Sequence, residues 1–186
     1  ACSGTMPSRA TMIRSAGLAE SNGAKATAPT APILSSDRAV FMLPRIIHPE
    51  QLQGYRFNEQ DHCRLALLST PADGDDDRAG REAMSLFVEI HDPCDRVPLH
   101  CHHHSAEFYF VLRGSVLFHI EDRSITACTG DFVVVPADAA HDFENPGPER
   151  LYLLTVLNHD EGFSELLKNG IPTDLEPEDL EVLRNL

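Results

Sequence analysis

Four histidines crowd into the segment Pro98-Leu99-His100-Cys101-His102-His103-His104-Ser105-Ala106-Glu107, which a glutamate closes. On an extended chain alternate side chains share a face. His100, His102 and, in step with them, His104 therefore point one way, while Cys101 and His103 point the other. Imidazoles two residues apart on one face of a strand stand about 7 Å apart and can converge on one ion. Glu107 lies beyond a short polar break, at the start of the apolar run Phe108-Tyr109-Phe110-Val111-Leu112-Arg113-Gly114, so a hairpin brings its carboxylate back toward the histidines. Imidazole with carboxylate suits divalent Fe, Mn, Ni, Cu or Zn. Standing alone, the same histidines equally describe a surface cluster that takes up metal adventitiously.

The elements that must hold these residues read as short strands. Across residues 82–158 turn signals recur roughly every 8 to 12 residues, the pattern of an all-β sandwich or barrel. Met84, Leu86, Val88 and Ile90 alternate with Ser85, Phe87, Glu89 and His91, which puts Glu89 and His91 on a polar outer face. Val116, Phe118 and Ile120 alternate with Leu117 and His119, turning His119 to solvent. Phe132–Val135 reads as a buried run ended by Pro136, and Leu151–Leu157 as the last strong strand. Gly114, Gly130-Asp131 and Asn145-Pro146-Gly147 supply the turns. Upstream, residues 40–47 predict an opening edge strand interrupted by Pro44. Residues 72–78 are Asp-rich but lack the spaced ligands of a calcium loop, and read as a solvated loop. Beyond Leu157, Phe163, Leu166 and Leu167 predict a short helix stopped by Gly170 and Pro172. A second helix is expected over the acidic end, with Pro177 in its first turn and Leu180 and Leu183 on one face.

Composition narrows the function classes. With 186 residues, 15 Lys and Arg, 29 Asp and Glu and a formal charge of -14, the chain predicts one acidic domain and argues against nucleic acid or an anionic membrane as partner. No apolar run reaches the roughly 18 residues of a membrane helix. The five cysteines are irregularly spaced without a Cys-x-x-Cys pair, which suits reduced thiols in a cytoplasmic protein. Residues 1–38 are dominated by Ala, Ser, Thr, Gly and Pro and contain no aromatic residue, so they predict a disordered leader. Its basic residues Arg9, Arg14, Lys25 and Arg38 outnumber Glu20 and Asp37, which fits a transit peptide or a plain linker equally. There is no internal repeat. The expected organisation is a leader over 1–38, a β-barrel domain over 39–159 and a helical extension over 160–186.

Downstream of the histidines, Gly130-Asp131-Phe132-Val133-Val134-Val135-Pro136 turns through Ala137-Asp138-Ala139-Ala140 into His141-Asp142-Phe143-Glu144-Asn145. The two stretches together resemble the motifs of the cupin superfamily, Gly-x5-His-x-His-x(3,4)-Glu-x6-Gly and Gly-x5-Pro-x-Gly-x2-His-x3-Asn. His100, His102, Glu107 and Gly114 match the first; Gly130, Pro136, His141 and Asn145 match the second. The resemblance covers residues 84–157, and the interval between Gly114 and Gly130 is similar to that of microbial single-barrel members. It implies a double-stranded β-helix, an antiparallel jelly-roll barrel, with one divalent transition metal held by His100, His102, Glu107 and His141. It also selects the His100, His102 register, because a His102, His104 pair leaves too few residues before Glu107; His104 then belongs to the pocket mouth or to solvent. Two positions depart from the pattern. Cys94 replaces the first glycine, and Asp138 replaces the glycine of Pro-x-Gly, where aspartate still tolerates a left-handed turn.

Three neutral imidazoles and one carboxylate leave a divalent ion with residual positive charge and, when it is six-coordinate, open positions. The resemblance then implies a dioxygenase of quercetinase-like type, an oxidoreductase acting on a small oxygenated or aromatic compound. Glu107 is expected to shuttle a proton and Tyr109, on the same inward face, to donate a hydrogen bond to a bound anion. The alternatives are a non-catalytic small-ligand or metal-binding cupin and a metal-dependent lyase or isomerase. Phe143 is expected in the cavity wall, Asn145 in a turn and Cys101 away from the metal. A small molecule is the expected partner, and a homodimer is expected by analogy.

Overall fold

The computed structural model describes residues 46–69 and 84–185. The leader, residues 40–45 of the expected opening strand and the Asp-rich loop lie outside the described residues. The chain forms β1 (Gly54–Arg56), β2 (Arg64–Ser69), β3 (Ser85–His91), β4 (Arg96–His100), β5 (Glu107–Arg113), β6 (Ser115–Ile120), β7 (Arg123–Cys128), β8 (Phe132–Val135), β9 (His141–Glu144), β10 (Leu151–Leu157), α1 (Phe163–Lys168), β11 (Ile171–Thr173) and α2 (Pro177–Arg184). All pairings are antiparallel and make two sheets, β11-β1-β2-β3-β10-β5-β8 and β4-β9-β6-β7. This is the all-β barrel the alternation predicts. Among the described residues no helix is long and apolar enough to cross a membrane.

The period of two places the core between the sheets. Tyr109, Val111, Val133, Val135, Leu151 and Leu153 from the larger sheet meet Val116, Phe118, Ala127 and Phe143 from the smaller. Phe132–Val135 is correspondingly not a fully buried run: Val133 and Val135 enter the core while Phe132 and Val134 face out. Pro98 sits in β4 and Pro172 in β11, both edge strands, where a missing N–H disturbs no ladder.

The expectation for β3 is overturned. Glu89 and His91 are not on a polar outer face; they are 5% and 0% exposed and point to the barrel interior with Phe87. The reason is a third layer. Val88, Ile90 and Tyr152 on the other face of the larger sheet are covered by Val182 of α2, with Leu175 and Leu183 alongside, so β3 is buried on both sides. The C-terminal segment is also not purely helical, because β11 pairs with β1. α2 buries Asp179 and Val182 while Leu180 stays half-exposed. Asp179 accepts hydrogen bonds from Tyr152 Oη at 2.9 Å and from the Glu176 N–H at 2.8 Å, and forms ion pairs with Arg64 and Arg150. A buried carboxylate that would otherwise be costly is thereby the pin that docks α2.

Candidate metal centre

His100 is the last residue of β4 and His141 the first of β9, and the two are register partners across the smaller sheet. Their rings stand 4.2 Å apart. Glu107 opens β5 in the facing sheet, so its carboxylate reaches the same point from the opposite side. β4 ends before His102, whose carbonyl accepts the Asp138 N–H at 2.8 Å in the loop that follows. One donor atom from each of His100, His102, Glu107 and His141 lies within 4.8 Å of the others, a spacing one ion can bridge.

Hydrogen bonds at the outer ends of the rings fix which nitrogens face inward. His100 Nδ1 donates to the Pro98 carbonyl at 2.8 Å, and His141 Nδ1 to the Ala139 carbonyl at 2.9 Å. A carbonyl only accepts, so Nδ1 carries a hydrogen and Nε2 is the nitrogen turned to the centre, where an ion would find it. His102 has its Nδ1 3.5 Å from Glu161 Oε2 and its Nε2 3.4 Å from Glu107 Oε2. Glu107 Oε2 is also 3.0 Å from His141 Nε2. Burial works to raise the Glu107 pKa, but His102 and His141 outweigh it and hold it down to about 2. Burial lowers the His100 pKa, favouring the neutral ring, whereas the Glu107 hydrogen bond raises that of His102. An ionised carboxylate among imidazoles whose Nε2 atoms converge is a donor set that fits a divalent transition metal.

Tyr109 is buried with its hydroxyl 3.4 Å from His141 Nε2. Burial and the Glu107 charge push its pKa well up, so it stays a neutral phenol able to donate. The centre opens on a cavity of about 410 Å³ lined by His100, His102, Glu107, Tyr109 and Phe143, with Phe57, Leu99, Phe163 and Leu166 supplying apolar surface. Leu99 and Leu166 are 68% and 60% exposed and stand at its rim. Phe143 is cavity wall, as expected.

The neighbouring residues sort cleanly. His103 and His104 are exposed; the His103 ring pairs with Asp138 at 3.0 Å, and the His104 N–H donates to Glu161 Oε1 at 2.7 Å. Cys101 is exposed beside the cavity. Cys94 and Asp138 both adopt positive φ, 67° and 65°, so the two glycine positions of the motifs keep their left-handed turns without glycine. The Asn145 amide donates to the carbonyls of His91, Asp92 and Glu149, and its oxygen accepts the Gly147 N–H. It builds the turn that leads into β10. Glu161 escaped the sequence reading, since it lies in a loop after the last long strand where no periodicity marks a direction.

Two facing antiparallel sheets with a histidine and glutamate quartet at one end define a class, and the comparisons agree with it. Residues 87–157 match the family model for the cupin domain, and over that segment the chain is similar to cupins. A curated relative, polyketide synthase CurC of Streptomyces cyaneus, is 24% identical over 117 residues, spanning 63% of this chain and 71% of the relative. Among solved structures, a predicted oxalate decarboxylase from Thermotoga maritima aligns with a TM-score of 0.52 at 20% identity, covering 61% of this chain and 97% of that one. An RmlC-like cupin from Shewanella frigidimarina also aligns at 0.52, with 14% identity and coverage of 65% and 96%. At these identities the structural likeness speaks for the fold alone.

Proposed function

We propose that this protein is a metal-dependent oxidoreductase of dioxygenase, quercetinase-like type, acting on a small oxygenated or aromatic compound. His100, His102, Glu107 and His141 hold one divalent transition metal in this reading. The observation that carries it is the convergence of three imidazoles and an ionised carboxylate at the inner end of an apolar-walled cavity of about 410 Å³, within the size range of small-molecule sites. The metal supplies Lewis acidity and, for a redox-active ion, a route for electrons to dioxygen. Glu107 shuttles a proton from the substrate through the oxygen not tied to His102 or His141, its low pKa suiting it to pass the proton on rather than keep it. Tyr109 donates a hydrogen bond to the anion so formed. Phe57, Leu99, Phe163 and Leu166 cover the apolar part of the substrate and keep water away. The name of the curated relative favours polyketides, oxygen-bearing carbon chains, as the substrate class.

Oxygen uptake by metal-loaded protein across flavonols, catechols and diketones tests this reading. Consumption that requires substrate and metal, and is lost in Glu107→Gln, supports it; no uptake across the panel contradicts it in favour of a lyase, an isomerase or a binding module. A homodimer belongs to the same proposal. Phe110, Phe132 and Val134 are exposed apolar residues on the paired strands β5 and β8, a surface a second copy could cover. Sedimentation of the full chain decides it. The free thiols of Cys63, Cys94, Cys101 and Cys128 suit the reducing cytoplasm.

A further inference from the structure

Outside the quartet, β3 and the residue preceding β2 bring a second set of donors together. Cys63 Sγ lies 3.6 Å from His91 Nε2, and His91 Nε2 lies 3.2 Å from Glu89 Oε2. All three donor atoms are within 4.8 Å of one another. We propose that Cys63, Glu89 and His91 form a second metal site, suited to zinc, that opens on the same cavity as the quartet.

The spacings are those of ligands sharing an ion. With zinc about 2.3 Å from sulfur and about 2.0–2.2 Å from nitrogen and oxygen, the edges of a tetrahedron are roughly 3.5 Å from sulfur to nitrogen and roughly 3.4 Å from nitrogen to oxygen. The outer ends of the ligands are fixed as metal ligands require. Asp95 Oδ2 holds His91 Nδ1 at 3.0 Å, which directs Nε2 inward, and Thr155 Oγ1 donates to Glu89 Oε1 at 2.6 Å, which leaves Oε2 for the ion. Thiolate and imidazole together select zinc over magnesium or calcium.

His91 Nε2 has at most one hydrogen, yet faces both the Glu89 carboxylate and the Cys63 sulfur. Burial opposes charge on His91, but the groups around it push its pKa well up, and burial raises that of the Cys63 thiol. None of the three residues belongs to the quartet. Cys63 and Glu89 line the cavity, so an ion with three protein ligands keeps its fourth position toward a ligand held there.

Cobalt tests the proposal, because a thiolate ligand gives Co²⁺ a sulfur-to-metal charge-transfer absorption that imidazole and carboxylate do not. The His100→Ala/His141→Ala double variant of the full chain, which disables the quartet, should still bind Co²⁺ with this absorption. Zn²⁺ should displace the Co²⁺ and protect Cys63 from alkylation, read by peptide mass spectrometry. Adding Cys63→Ser should remove the absorption and its metal equivalent, with circular dichroism confirming the fold. In the otherwise unaltered protein, Glu89→Gln should weaken the absorption while leaving the quartet's metal bound. The proposal is overturned by a cobalt-loaded protein without thiolate absorption, by absorption that survives Cys63→Ser, or by alkylation of Cys63 at the same rate with and without Zn²⁺. Failure of the quartet instead would show as a wild-type chain whose only metal carries the thiolate signature.

Discussion

Replacing Glu161 with glutamine isolates the part of the site that the motifs do not contain. Its carboxylate stands 3.5 Å from His102 Nδ1 and accepts the His104 N–H at 2.7 Å. Glutamine keeps an oxygen for that N–H but removes the charge that orients His102 and raises its basicity. Losing such a partner commonly weakens metal affinity 10- to 100-fold. The distance is long and the Glu161 side chain is 23% exposed, so the lower end applies, about tenfold or ~1.4 kcal/mol. At a metal concentration of about 100 times the wild-type Kd, binding stabilises the fold by ~2.7 kcal/mol, and a tenfold weaker site retains ~1.4. For a chain of this size the ~1.3 kcal/mol difference lowers the metal-loaded Tm by about 3–5 °C, while the metal-free Tm stays put. Differential scanning calorimetry with and without metal, paired with a titration for Kd, measures both. Equal Kd and equal metal-loaded Tm for Glu161→Gln and wild type would refute the role assigned to Glu161.

Three further outcomes are expected. Tyr109→Phe should leave metal content unchanged and lower kcat by roughly 10- to 100-fold, the value of a hydrogen bond to a developing charge; loss of metal instead would make Tyr109 structural. Asn145→Ala strips partners from the carbonyls of His91, Asp92 and Glu149 and should cost roughly 2–4 kcal/mol in urea unfolding, whereas a change near zero would remove Asn145 from the turn's support. Tyr152 bears on alkaline stability. Burial, then the Asp179 charge, raises its pKa, so the folded state holds the phenolic proton after the unfolded chain releases it, and stability is lost as pH rises above about 10. Tyr152→Phe should therefore be less stable at neutral pH by roughly 1.5–3 kcal/mol, with the gap narrowing above that pH; a constant gap would contradict the assignment.

β6 and β5 were legible because one face is core and the other is not, so alternation and burial coincide at Val116, Phe118, Tyr109 and Val111; β7, exposed except at Ala127, carried no such signal. The convergence of His100, Glu107 and His141 was legible through the paired motifs, which fix residues at strand ends. β3 misled for a physical reason: with α2 on one side and the barrel interior on the other, its polar residues Glu89 and His91 are enclosed by elements far away in sequence. Alternation reports two different faces but not which is solvent. Cys63 carried no signal for the same reason, since only the pairing of β2 with β3 brings it to His91. β11 was hidden by Pro172, which an edge strand tolerates.

The central claim, that His100, His102, Glu107 and His141 form a metal centre, is tested most directly by elemental analysis of freshly purified wild type and of the His141→Ala variant, each bearing Cys63→Ser so that only the quartet contributes. A first-row transition metal should be bound to the parent and lost from His141→Ala, with the fold intact by circular dichroism. A parent that contains no metal and shows no thermal shift with added Fe, Mn, Ni, Cu or Zn, or a His141→Ala chain that retains its metal in full, would contradict it.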